Sequence, residues 1–133
     1  MSVLGEERAA IAAALDLADH GAGIEIRTVH QYVPDRLIPP AAIITPADPY
    51  LERRQTDPFG TLTASWEVWL VQGAGSNETE TAGLDAAIEA NADALTAAGF
   101  TVERVSEPFM FAVQGANFLT TVLTVATGVT LTT

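Results

Sequence analysis

Two hydrophobic periods alternate along this chain. Near its start Leu4, Ile11, Leu15 and Ala18 recur at 3.6-residue spacing, with Ala14 widening the stripe, which predicts a helix over about 5–20. Glu6 and Glu7 fall in its first turn, where exposed N–H groups favour carboxylates, and Gly21 follows the last turn, where a left-handed cap is wanted. From Ile24 to Tyr32 the period becomes two: Ile24 and Ile26 alternate with Glu25 and Arg27, a half-buried strand. Pro34, Pro39 and Pro40 punctuate the chain, and Ala41–Thr45 reads as a short apolar strand. Between Pro46 and about Gly60 no period survives, which predicts a loop, with Asp57-Pro58-Phe59-Gly60 carrying the residues of a type I turn. Leu62, Ala64, Trp66, Val68 and Leu70 then alternate with Thr63, Ser65, Glu67, Trp69 and Val71, the strongest strand pattern in the chain.

Ser76 and Asn77, with Glu80 three residues after Asn77, resemble a capping box. They open a second helix whose apolar stripe is Leu84, Ile88 and Leu95, helped by Ala87 and Ala98, and which Gly99 ends. Asn91 falls within that stripe, so it should be paired in the core or lie at a helix–helix contact. Phe100–Val105 and the Thr/Val-rich Asn117–Thr127 read as strands, with Pro108–Val113 between them as an apolar connection or short strand. No repeat or linker interrupts the 133 residues, a length that fits one domain. The expected class is α+β: two helices packed on one four- to five-stranded, mostly antiparallel sheet, in the order α-β-β-β-α-β-β.

Charge narrows the functional classes. Seventeen acidic residues oppose six basic ones, all arginine, for a net charge of −11. Gripping a nucleic acid backbone needs clustered positive charge, so this balance argues against that class. With no cysteine, thiolate catalysis and cysteine-held metals are excluded as well. No basic segment leads into an apolar run at the start, and no stretch is long enough to cross a bilayer, which predicts a soluble, intracellularly made domain without membrane partners.

Motifs for chemistry are absent. His20 and His30 are the two histidines, and neither has a nucleophile or acid beside it in a G-x-S-x-G or H-E-x-x-H context, so both read as structural and no catalytic residue is assigned. Gly73-Ala74-Gly75 precedes a helix, but the third glycine of a dinucleotide loop would fall at Glu78, and Glu78 and Glu80 would repel a pyrophosphate. No cofactor or metal is expected. Asn77-Glu78-Thr79 matches a glycosylation acceptor by chance if the chain is not secreted.

Three features point to assembly instead. At 100° per residue, Glu78, Asp85, Glu89 and Asp93 project opposite the apolar stripe of the second helix, with no basic residue between Asn77 and Ala98. This is a solvated face, or a surface that repels a polyanion or meets a basic partner; a calcium site ranks third. The 46–60 loop carries Tyr50, Phe59, Arg53 and Arg54 with Asp48, Glu52 and Asp57, and Tyr and Arg are anchor types at protein interfaces. The competing reading folds Tyr50 and Phe59 back onto the core. Finally, no charged side chain follows Glu107, and Phe118–Val125 has high β-propensity without a charged gatekeeper. It should be central in the sheet or covered by another subunit.

An alanine-rich first helix, an Ile-Glu-Ile-Arg strand, a proline-rich turn, the run 41–46 (AAIITP) and a long loop into 61–73 (TLTASWEVWLVQG) resemble the small tail terminator and tail-completion proteins of long-tailed phages. The second half, 80–127, is similar to those of actinobacterial siphophages. The resemblance implies a homo-oligomeric ring, usually a hexamer, at the head-proximal end of the tail tube. Such a ring ends tube polymerisation and joins the major tail tube protein to the head connector, with genomic DNA passing through its centre. It implies a place in the virion tail, and in the host cytoplasm during assembly. It also implies two helices against a sheet, with a long hairpin or loop near the subunit contacts. On this reading Tyr50, Arg53, Arg54 and Phe59 belong to a subunit or tube interface, and Asp48, Glu52, Asp57, Glu78, Asp85, Glu89 and Asp93 are candidate channel or surface acids. The alternatives are a head-closure or connector adaptor protein and, in a different class, a small oligomeric ligand-binding α/β module.

Overall fold

A computed structural model describes residues 2–16, 28–33, 40–55, 57–74, 78–113 and 115–130. Outside this set lie Ala18, His20, the Gly21 cap, the Ile24–Arg27 alternation, Pro34, Pro39 and the Ser76–Asn77 capping box. The elements run α1 (Val3–Asp16), β1 (Thr28–His30), β2 (Ala41–Glu52), β3 (Thr61–Ala74), α2 (Glu78–Ala97), β4 (Thr101–Val105), β5 (Phe109–Val113) and β6 (Ala116–Thr130). The class is α+β, as the periods predict. Among the described residues the sheet has six strands rather than four or five, because Phe109–Val113 forms a strand of its own.

Helix α1 begins two residues earlier than its spacing suggests, since Ser2 caps it: the Ser2 hydroxyl accepts the Gly5 N–H at 3.0 Å. Helix α2 ends as expected at Gly99, whose φ of 95° is left-handed. Gly99 N–H donates to Thr96 O and Phe100 N–H to Leu95 O, a Schellman closure that turns Phe100 into the core. Asn91 is buried, and its Nδ2 donates to Ala87 O at 2.6 Å.

The strands lie in the order β1-β2-β3-β6-β4, with β5 also paired to β6; only β1–β2 is parallel. Strand β6, the uncharged and aggregation-prone one, is therefore central. It pairs with β3 along almost its whole length on one edge, and with β4 and then β5 on the other. Both helices pack on one face of the sheet, over Ala42 and Ile44 from β2, Trp66, Val68 and Leu70 from β3, and Leu123 and Val125 from β6. The segment expected to be a loop from Pro46 is strand as far as Glu52. β1 pairs only with Ala41–Ile43, so beyond that point β2 has a free edge where a proline loses no ladder bond. A register shift between Pro46 and Leu51 erases the period that would have revealed the strand. No described helix is long and apolar enough to cross a membrane.

Candidate functional site

The β2–β3 hairpin ends in two turns. Asp57 N–H donates to Arg54 O, and Thr61 N–H to Pro58 O with Gly60 at φ 85° in the third position, so the chain reverses over Pro58–Thr61 rather than Asp57–Gly60. The Asp57 carboxylate holds this end together, accepting the Arg54 N–H at 2.8 Å and the Thr63 hydroxyl at 2.9 Å. Those bonds, the Arg54 N–H first, draw its pKa below the ordinary carboxylate value. Arg54 then reaches across the sheet to β4, bonding both carboxylate oxygens of Glu103 and pairing with Glu52 at 3.0 Å. The Arg54 hydrogen bonds lower the Glu103 pKa, and the Arg54 guanidinium is held more firmly protonated.

The four expected interface residues thus separate. Tyr50 turns onto the core: its ring meets Trp66 edge-on at 5.7 Å, and its hydroxyl accepts Arg8 Nη2 at 3.0 Å. The bulge at 46–51 swings it to the helix-covered face, so it is not part of an exposed loop. Arg54 is consumed by the bracing contacts. Phe59 and Arg53 remain outward: Phe59 is 96% exposed at the tip, with the Arg53 guanidinium 5.8 Å from its ring centroid.

On the sheet face away from the helices lies a second apolar cluster, Ala41, Ile43 and Val71 beneath Trp69, Phe111 and Phe118. Trp69 packs against Phe109 at 5.8 Å and Phe111 at 5.2 Å. Beside it an open cavity of about 390 Å³ is lined by the apolar Trp69, Phe109 and Val122 together with Glu67, Arg104, Ser106 and Thr124. An adjoining cavity of about 230 Å³ shares Glu67, Arg104 and Thr124 and adds Asp48, Glu52, Arg54 and Glu103. Sequence reading missed Trp69, Phe109, Glu67 and Arg104 as a group. The alternation of β3 already placed Trp69 and Glu67 together on the face opposite Trp66, but nothing local said that this face would go uncovered.

The acids also divide. Asp48 and Glu52 line the smaller cavity, and Asp57 closes the hairpin end. Glu78, Asp85, Glu89 and Asp93 are exposed on α2, on the other side of the sheet. Among the described residues no group of three or more His, Asp or Glu side chains is arranged to hold a metal, and His30 is half-buried on β1. What the surface offers is an open aromatic patch beside which, over the two cavities together, carboxylates outnumber guanidinium groups, suited to an apolar side chain accompanied by positive charge. No protein-family model matches the chain, and no curated protein matches it.

Proposed function

We propose that this chain is a structural subunit of a phage tail, one copy in a ring at the head-proximal end of the tube that ends tube polymerisation and joins the tail to the head connector. The observation that carries the reading is the β2–β3 hairpin, two strands of 12 and 14 residues ending in a fully presented Phe59–Arg53 tip. Its strands are built into the sheet of a two-helix domain of the kind the phage resemblance implies, and the tip stands at one end of that sheet. Shape and charge, rather than bond-breaking, then account for the chain's work.

In such a ring the acids on the two sides of the sheet compete for the lumen. Glu52 is neutralised by Arg54, and the Asp57 carboxylate is occupied by the Arg54 N–H and Thr63. The α2 carboxylates have no base on their own helix, so they offer the stronger repulsion to DNA phosphate. A determined ring whose lumen is arginine-lined or apolar would contradict this assignment.

Electron microscopy of the purified chain mixed with tail tubes tests the function. Added density at one end of the tubes, with halted tube growth, is the expected result. Binding to portal-bearing heads without binding to tubes would favour the connector adaptor. A rise in melting temperature with a small molecule, and no binding to either particle, would favour the ligand-binding module.

A further inference from the structure

The hairpin tip and the uncovered sheet face are complementary surfaces of one chain. Phe59 is an aromatic ring held almost wholly in water, carried on a short, braced turn. Arg53 lies over that ring and, unlike Arg54, forms no ion pair among the described residues. The larger cavity supplies what this pair lacks: an aromatic wall of Trp69 and Phe109, and at its rim Glu67, which also forms no ion pair among the described residues. Its volume of about 390 Å³ lies within the ~300–1,000 Å³ span of sites that enclose a small molecule or a bulky side chain. Around both cavities four carboxylates (Asp48, Glu52, Glu67 and Glu103) outnumber two guanidinium groups, which favours an incoming cation.

We propose that the tip of one copy docks in the sheet-face cavity of a second copy, Phe59 against Trp69 and Phe109, and Arg53 beside Glu67. Tip and cavity are different surfaces, so the contact is head-to-tail: it leaves one tip and one cavity free on each pair, and repeats until the series closes. The proposal deepens the tail reading, resting on it for the premise that the chain works as one of many copies, and names the surfaces that join them.

Because the chain has no cysteine, introduced thiols report the contact cleanly. Pro58→Cys protein, in which the neighbouring Phe59 ring is kept and the new thiol is exposed at the tip, is mixed under diamide oxidation with Thr124→Cys protein, Thr124 lining both cavities, or with Asp85→Cys protein as an exposed control on α2. Crosslinking to Thr124→Cys should be at least tenfold faster, and Arg53→Glu in the tip partner should remove the excess. Glu67→Arg in the cavity partner should restore it with Arg53→Glu. Melting temperatures check that each variant folds. Equal rates at Thr124→Cys and Asp85→Cys would overturn the contact. In parallel, Phe59→Ala is tested on tail tubes. If it caps them normally, the contact fails and the tail reading stands; if selective crosslinking occurs but no copy binds tubes, the contact stands and the tail reading fails.

Discussion

Ser106 sits where the outer neighbour of β6 changes from β4 to β5. Its N–H donates to Val122 O at 2.8 Å, its hydroxyl accepts the Val122 N–H at 2.9 Å, and its carbonyl accepts the Thr121 hydroxyl at 2.7 Å. One side chain thereby replaces a missing rung of the ladder. Ser106→Ala leaves the Val122 N–H without its acceptor and should lower unfolding free energy by about 1–3 kcal/mol, while Ser106→Thr, which keeps a hydroxyl, should lose less. A loss too small to resolve in urea unfolding would mean the hydroxyl contributes nothing to joining the strands. Trp66 is 0% exposed beneath both helices, and Trp66→Ala should cost about 3–5 kcal/mol by the same measurement. The inward Trp66 and outward Trp69 are legible in the sequence because an uninterrupted strand has a strict period of two. Ser106 is not legible: a serine that mimics a backbone acceptor looks like any loop serine until the strands on either side are known. Tyr50 is illegible for a related reason, since the bulge before it resets which residues face inward.

At the scale of elements, the β2–β3 hairpin is braced to β4 by Arg54, and this brace titrates. Glu103 and Asp57 have ordinary pKa values of 4.5 and 3.8, and both are drawn lower in the fold. A carboxyl group with a lowered folded pKa adds stability that is fully present above its ordinary value and is lost as pH falls through the lowered one. The hairpin should therefore loosen below about pH 4, seen as lower amide protection factors at 53–60, each relative to the intrinsic exchange rate at that pH, while the core of β3 and β6 stays protected. Arg54→Met should weaken the protection at neutral pH and flatten its pH dependence; an unchanged exchange profile in that variant would show that the brace is idle. Glu7 on α1 has the opposite sign. Burial, then repulsion from Glu6, raises its pKa, so its contribution is lost as pH rises through that raised value, and Glu7→Gln should raise the melting temperature at pH 7 but not at pH 3. Helices were the most legible elements, each having a stripe and a terminating signal. The outer half of β2 was not, because prolines at a free edge carry no alternation to read, and β5 was legible only as a connection or short strand, because a run of five apolar residues has no period.

For the whole molecule, class followed from the order of periods, but strand neighbours did not: the sequence does not record that β6 would lie between β3 and the β4–β5 edge, or that both helices would cover the same face. That unrecorded choice decides the candidate site, since it leaves Trp69, Phe109 and Glu67 open to a partner. Charge is the property of the whole chain that was legible at once, and it sets how copies meet. Each carries −11 within a radius of gyration of about 14 Å for a domain of this length. At 0.01 M salt the screening length is about 30 Å, so approaching copies feel each other's full charge; at 0.15 M it is about 8 Å, shorter than the domain itself. Head-to-tail docking through one aromatic ring and one guanidinium is a short-range attraction working against that long-range repulsion. Crosslinking of Pro58→Cys to Thr124→Cys protein should therefore speed up several-fold between 0.01 and 0.15 M salt, the reverse of the usual response of a charged contact. Repeated with Arg53→Glu, the rate should be low at both salts, because the negative field is then added at the contact as well as at a distance. A rate that falls steadily with salt in the parent pair would mean that local opposite charges, not apolar burial against a background of repulsion, govern the encounter.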